Sequence, residues 1–350
     1  MQGGISIRAS KIRHLVMLSL CMPLLLLLAS CGSEPKGTLT IYAGLYEDHA
    51  IKAIETFQKQ TGIKVSYVRM SNGEILSRIR AEREQPKASI WFGGPSDTFV
   101  QAKSEGLLSP YVSPNAAMID PMYRDKDGYW TGIYVGSIAF VSNKTWLQEV
   151  GGEAPQSWND LLSPAYRGMI TMPDPRSSGT AYTALATLVQ LFGEDEAFRY
   201  LKRLHEQNVI YTTSGSVPGR TVGMGEVGTA VMFSHDALKF YKEGFRNIVI
   251  SFPKEGTGYE IGAVGIIQGA PQEHEAKLFV DWALSKQAQE LGKQVGNYQL
   301  LTHRDAESPE EAFPLERLNV ISYDQDWAGR NRERLIARWT EEVLGGDPSP

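Results

Sequence analysis

Hydrophobic positions divide the chain into one continuous apolar run and a longer stretch in which short apolar segments alternate with amphipathic ones. The continuous run is Leu15 to Leu28, interrupted by Ser19 and Pro23. It is shorter than the ~20 residues a membrane-spanning helix needs. Arg8, Lys11 and Arg13 precede it without an acidic residue, and it ends at Leu28-Ala29-Ser30-Cys31. A basic start, an apolar middle and small residues at the end predict a secretory leader over 1–30. The chain then turns polar at Gly32-Ser33-Glu34-Pro35-Lys36, which predicts a short tether over 31–37. A short signal anchor that stays attached is the competing reading.

Beyond the tether the period changes repeatedly. Thr38 to Ala43 predicts a strand, and Ile63 to Arg69 a second one by its alternation. Between them, Asp48 to Thr61 carries apolar residues at 50, 51, 53, 54 and 57, a helical stripe with Gly62 as its C-cap. Asn72 to Glu84 predicts a charged helix. Ser89 to Phe92 predicts a short buried strand that ends in Gly93-Gly94-Pro95-Ser96-Asp97. Alternating strands and helices predict an α/β sheet, parallel in this part. Further strands are predicted at Tyr134–Ser142, Met169–Met172, Gly228–Phe233 and Ile248–Phe252. Further helices are predicted at Trp158–Leu162, Ala181–Phe192, Glu194–Gln207, Ala237–Glu243, His274–Leu291 and Arg330–Val343. The roughly 320 residues after the leader exceed one ordinary core and suit two lobes.

Cysteine and charge narrow the chemistry. Cys21 and Cys31 are the only cysteines, and Cys21 leaves with the leader. The remaining chain therefore has neither a disulfide framework nor a thiolate metal site. Removing three basic residues from 35 leaves 32 against 40 acidic ones, a balance of −8. That argues against nucleic acid as a partner, which needs a basic face. An anionic ligand can still be held locally by backbone dipoles.

Three polar loops follow predicted strands, where ligands collect in open α/β sheets. They are Gly93–Asp97, which offers Ser96; Arg176–Thr180, which offers Ser177, Ser178, Gly179 and Thr180; and Ser234–Asp236. A fourth is Tyr211–Arg220, a Ser/Thr/Gly-rich turn without a clear strand before it. Ser177 to Thr180 opens a helix whose first N–H groups are unpaired, so hydroxyls beside a glycine there suit a phosphate, phosphonate or carboxylate. A plain N-cap by Ser177 or Ser178 accounts for the same residues. Ser214, Gly215 and Ser216 could add donors to the same anion or form a solvated turn. His235 and Asp236 offer a donor and an acceptor to ligand hydroxyls; a helix cap beside a surface histidine is the alternative. Glu260 could accept from a hydroxyl or pair with an amine, or lie in a surface salt bridge.

Taken in order, these segments resemble a family. TLTIYAGLYEDH, ETFQKQTGIKV, GLLSPY, SWNDLLSPAYRG, SSGTAY, GEVGTAVMFSHDA and AKLFVDWALSKQAQEL are similar to the extracellular solute-binding proteins of ABC importers, in the ferric-iron-binding-like branch. The similarity runs from Thr38 to about His303. Leu28-Ala29-Ser30-Cys31 likewise resembles a bacterial lipobox, which implies a diacylglyceryl thioether on Cys31. The chain is then exported and lipid-anchored, on the outer face of the cytoplasmic membrane or in the periplasm.

The resemblance implies a two-lobed, type II periplasmic-binding-protein-like α/β fold, with its ligand cleft between lobes joined by crossing strands near 133–141 and 252–265. Lobe 1 is expected over 38–139 plus 256–305, and lobe 2 over 140–255 plus 306–345. The ferric branch implies a histidine, an acidic residue and two adjacent tyrosines as iron ligands. Tyr46 stands at the histidine position, Gly94 at or near the acidic one, and His235 and Asp236 at the two tyrosine positions, so no metal and no cofactor is expected. The branch's anion clamp maps to Ser178, Gly179 and Thr180, and the site is most similar to the hexose-phosphate and phosphonate binders. The expected function is capture of a small anionic solute by a monomer that closes by hinge motion and delivers to an ABC permease. A ferric-iron carrier is the first alternative. A metal-independent phosphoryl-processing enzyme using His235 and Asp236 is the second; no further histidine or carboxylate cluster near these loops supports it.

Overall fold

A computed structural model of the chain describes residues 38–346; the leader, Cys31 and the tether lie outside the described residues. The first strand, β1 (Leu39–Ala43), is flanked on both sides by parallel neighbours, β2 (Val65–Arg69) and β3 (Ile90–Pro95). The crossovers are α1 (Glu47–Thr61) and α2 (Asn72–Ala81). α1 stops at Gly62, whose φ of 70° is the left-handed cap that glycine allows. α2 ends at Ala81 and does not reach Glu84: the polar pattern runs on, but Pro86 restricts the backbone before it. α3 (Ser96–Ser104) follows β3 directly.

The remaining strands are β4 (Leu108–Ser109), β5 (Thr131–Asn143), β6 (Ile170–Pro173), β7 (Ile210–Thr212), β8 (Thr229–Phe233), β9 (Ile248–Ser251), β10 (Tyr259–Ile267) and β11 (Leu300–Leu301). The strand order is β2-β1-β3-β10-β5-β8-β6-β7. β5 is thirteen residues long and buried throughout. Up to Ser137 it pairs antiparallel with β10; from Ile138 onward it pairs with β8 and β9. The exchange of partners falls inside the segment 133–141 expected to cross. The run 252–258 crosses beside it. The Ile138 N–H donates to Gly258 O at 3.0 Å, and Thr257 Oγ1 donates to Ile138 O at 2.7 Å.

The longer helices of the second half are α4 (Gly179–Phe192), α5 (Glu194–His205), α6 (Val217–Met224), α7 (Ser234–Glu243), α8 (Glu273–Ala283) and α9 (Gln325–Arg338). α9 starts five residues before the predicted helix because Asp324 caps it, accepting from the Trp327 N–H at 2.8 Å. Around β1 and β3 one core face holds Phe57, Phe92 and Phe279, with edge-to-face contacts at 5.0 and 5.1 Å. The opposite face holds Leu76, Trp91 and Phe99. A separate core beyond Ile138 gathers Phe140, Trp158, Tyr182, Phe198 and Trp339. Among the described residues no helix is long and apolar enough to cross a membrane.

The two core regions touch through polar contacts at the strand ends. The Gly73 N–H donates to Ser177 O at 3.0 Å, an approach that a side chain at 73 would block, since its Cβ would lie 2.6 Å from that oxygen. Ser71 Oγ donates to Thr213 O at 3.2 Å. Lys239 of α7, 6% exposed, reaches Asp48 Oδ2 of α1 at 2.6 Å and Val295 O at 3.0 Å. The Asp48 side chain is 44% exposed, so the tie contributes on the order of 1 kcal/mol. Lys239→Met keeps the aliphatic packing and removes the tie. The expected outcome is a larger radius of gyration in small-angle scattering. Adding Asp48→Asn should change nothing further; a second, additive expansion would show that the two residues do not act as a pair.

Candidate functional site

The parallel strands end toward one cleft, which holds about 460 Å³ of space with the open solvent at its mouth included. β1 delivers Gly44, Leu45 and Tyr46; β2 delivers Arg69, Ser71 and Asn72; β3 delivers Gly94 and Pro95. From the other core come Ser178, Gly179 and Thr180 at the start of α4, the turn Ser214–Ser216 after β7, and His235 and Asp236 at the start of α7. Tyr134 of β5, Glu260 of β10 and Gln299 complete the wall.

One end is made of donors. Ser178 occupies the N-cap position of α4 without a side-chain capping bond, so it is not the plain cap that its sequence also allowed. Gly179 lies against Pro95: a Cβ there would sit 2.8 Å from its Cδ. A Cβ on Gly215 would meet Thr180 Oγ1 at 2.1 Å and Ser178 Oγ at 3.2 Å. Glycine at 215 thus lets the 214–216 turn pack onto the first turn of α4. Ser214 and Ser216 share a hydrogen bond of 3.1 Å between their hydroxyls. Hydroxyls and the unpaired N–H groups of a helix start are suited to an anion.

The other end mixes donor and acceptor. His235 Nε2 lies 3.0 Å from Asp236 Oδ1 and 3.6 Å from Glu260 Oε1. All three residues are buried, so neither a surface histidine nor a surface salt bridge describes them. Gly136 makes room for the imidazole; a Cβ there would lie 2.1 Å from Nδ1. His235 Nδ1 and the Tyr46 hydroxyl are buried without a hydrogen-bond partner. Burial, then the charges of Asp236 and Asp97, push the Glu260 carboxyl well above the usual carboxylate range. Burial and the charge of Asp236 likewise push the Tyr46 phenol well up. The Gly94 N–H donates to the Tyr134 hydroxyl at 3.1 Å.

Of the residues expected at the site, Tyr46, Ser178, Gly179, Thr180, Ser214, Gly215, Ser216, His235, Asp236 and Glu260 line this one cleft. Ser96 and Ser177 do not. Ser96 Oγ donates to Gln325 Oε1 at 2.9 Å, turned toward α9, and Ser177 Oγ donates to Thr213 O at 2.9 Å. The turn at 211–220 does have a strand before it: the three residues of β7 pair with β6. Arg69, Ser71, Asn72, Tyr134 and Gln299 were missed. Arg69 and Ser71 follow the same strand-end rule that found the other loops, applied to β2. Gln299 carried no local signal. Among the described residues no three His, Cys, Asp or Glu side chains are grouped so as to hold a metal ion.

Two α/β regions that share β5, with a polar cleft between them at the strand ends, define a two-lobed binding protein of the type II periplasmic class. The chain belongs to the bacterial extracellular solute-binding proteins, whose family model matches residues 94–325. It is similar to the periplasmic binding protein AfuA from Actinobacillus pleuropneumoniae, whose structure has exogenous fructose-6-phosphate bound. The TM-score is 0.85 at 40% identity, over 88% of this chain and 99% of that one. It is 28% identical over 277 residues to a putative 2-aminoethylphosphonate-binding periplasmic protein of Salmonella typhimurium (strain LT2), over 75% of this chain and 78% of that one. It is 25% identical over 324 residues to an Fe(3+)-binding periplasmic protein of Serratia marcescens, over 90% of this chain and 93% of that one. The family is one of solute-binding transport proteins that serve ABC importers, and its periplasmic members imply export of this chain.

Glu260 carries a stability cost that pH exposes. A carboxyl whose value is raised on folding favours the folded state below its unfolded value, and that contribution is lost as pH rises through the folded value. Glu260→Gln removes the loss. The variant should melt with the wild type near pH 4 and above it at pH 8, by on the order of 2–4 °C for each kcal/mol recovered. Calorimetry across that range checks it; a constant offset at every pH would place the cause elsewhere.

Proposed function

We propose that the protein captures a phosphorylated small solute, a sugar phosphate above other organophosphates and phosphonates, and delivers it to an ABC permease. The observation that carries this reading is the division of the cleft. Ser178, Gly179, Thr180 and the 214–216 turn form an end suited to a phosphoryl group, and His235, Asp236 and Glu260 form an end suited to hydroxyls. The fructose-6-phosphate bound to AfuA carries both kinds of group, which supports the same assignment.

On this reading lobe 1 comprises 38–139 plus 256–305 and lobe 2 comprises 140–255 plus 306–345. The ligand bridges them and closes them by hinge motion. The protein acts as a monomer, without metal or cofactor, tethered beside its permease by lipid on Cys31. It binds and releases its solute without chemistry on it.

Ferric iron fits this cleft poorly. The acidic iron ligand of the ferric branch falls at or near Gly94, where φ is 100° and any Cβ would lie 1.9 Å from Asn72 Oδ1. Asn72 fills that space and accepts from the Trp91 indole N–H at 3.1 Å. A carboxylate cannot enter there without expelling Asn72.

A thermal-shift panel of glucose 6-phosphate, fructose 6-phosphate, 2-aminoethylphosphonate, inorganic phosphate, free hexoses and Fe³⁺ with phosphate tests the ligand class. The hexose phosphates should raise the melting temperature most. A visible charge-transfer band with Fe³⁺, or turnover of a sugar phosphate, would overturn the reading. The double change Ser178→Ala with Thr180→Ala should weaken hexose phosphate by about 1–3 kcal/mol, the scale of charge-assisted hydrogen bonds. Calorimetric titration reads it, and unchanged affinity would remove the helix-start clamp.

A further inference from the structure

Among the side chains that line the cleft, Arg69 is the one lysine or arginine. It is the last residue of β2, and its Nε donates to Leu45 O at 3.2 Å. That bond fixes the guanidinium against the turn that carries Tyr46 and leaves both Nη groups for other partners. Arg69 takes part in no ion pair among the described residues, although it is half-buried. Its charge opposes that of Asp236 at the Tyr46 hydroxyl, so it lies within electrostatic reach of the cleft interior.

The end of β2 also sits over the donor end of the cleft. Ser71, two residues beyond Arg69, donates to Thr213 O, next to Ser214. The guanidinium and the hydroxyls of Ser178, Thr180, Ser214 and Ser216 therefore border one space. Hydroxyls and backbone N–H groups contribute partial charges, and they serve a neutral hydroxyl or a singly charged anion as well as a doubly charged one. An integral positive charge without a carboxylate partner distinguishes among these. Phosphate monoesters carry about −1.5 to −2 at pH 7, whereas a sulfate ester of the same shape carries one charge. Two free Nη groups also match two phosphate oxygens, a geometry that lysine lacks.

We propose that Arg69 reads the charge of the phosphoryl group and sets a preference for doubly ionised phosphate esters over singly ionised anions of the same shape. The proposal rests on the phosphoryl reading of the cleft given above. Arg69 is a specificity residue on this account, separate from the helix-start clamp, which recognises the anion by hydrogen bonding alone.

Calorimetric titration of the full-length protein with glucose 6-phosphate and glucose 6-sulfate tests it. The wild type should favour the phosphate ester by about 10–100-fold, the range expected for a hydrogen-bonded ion pair against a weaker partner. Arg69→Met should lower phosphate-ester affinity by a similar factor and sulfate-ester affinity far less, so that the ratio collapses toward one. Arg69→Lys should retain part of the ratio. Equal losses for both esters would reduce Arg69 to a prop for the Leu45–Tyr46 turn and overturn the proposal, as would an unchanged ratio in Arg69→Met. A wild type that binds neither ester would overturn the phosphoryl reading, and the role of Arg69 with it. A wild-type preference that survives Arg69→Met overturns the role of Arg69 alone.

Discussion

β5 has to serve two sheets with one backbone, and the geometry of the cleft depends on how it does so. A strand buried along its whole length usually reads as a run of large apolar residues. This one, Thr-Gly-Ile-Tyr-Val-Gly-Ser-Ile-Ala-Phe-Val-Ser-Asn, places Gly136 and Ser137 at the point where its partners change. Gly136 leaves the volume that the His235 ring occupies. Ser137 shares a buried 3.0 Å hydrogen bond with Ser234, the residue before that histidine. The small and polar residues therefore sit where the strand changes sheets and holds the first turn of α7. A bulky residue at 136 would displace the imidazole and, with it, the contacts His235 makes to Asp236 and Glu260.

Much of this was legible in the sequence because the signals were local. A 3.6-residue stripe gave α1, alternation gave β2, and the polar loops after predicted strands marked the right corners of the sheet. What escaped was decided by neighbours distant in sequence. Ser177 and Ser178 are indistinguishable by residue type. The turn after Asp174, whose carbonyl accepts from both of their N–H groups, sends one hydroxyl to Thr213 and leaves the other at the cleft. Arg69 resembles a charge ending an edge strand until Leu45 O is seen to hold it. β7 is three residues long and partly exposed, too short for its own period to register, and it exists because β6 pairs with it. Gln299 reaches the cleft only because the loop before β11 returns beside β5.

The cleft also holds groups that a fold selected for stability alone would avoid. Glu260 is buried near two other carboxylates, and the Tyr46 hydroxyl and His235 Nδ1 are buried without partners. Each such group costs stability while it stays unpaired, and that cost converts into discrimination when a ligand supplies the missing partner. A solute that lacks the matching hydroxyl leaves the cost in place. On the function proposed for the cleft, the end formed by His235, Asp236 and Glu260 is therefore where closely related phosphorylated solutes would be told apart. On that same proposal the donor end, with its backbone amides and serines, would accept the group they share.

Each end draws on both cores. At the donor end, Asn72 comes from the β1–β3 region, its Cβ 3.4 Å from where a Cβ on Gly179 would lie, and Ser178 to Thr180 and Ser214 to Ser216 come from the other. At the hydroxyl end, His235 and Asp236 belong to α7 while Glu260 is the second residue of β10, a strand that pairs with β3 further along. Neither end exists as a complete set of contacts unless the two cores are close. A ligand can shift an open–closed equilibrium only by the difference in its affinity for the two states, and that difference would come from what Tyr46, Asn72 and Glu260 add to the contacts that Ser178 to Thr180, Ser214 to Ser216, His235 and Asp236 offer from one core. Lys239, Ser71 and Gly73 already join the cores around the same cleft. A ligand bridging both ends would add its contacts to these and favour the arrangement in which the cores are close.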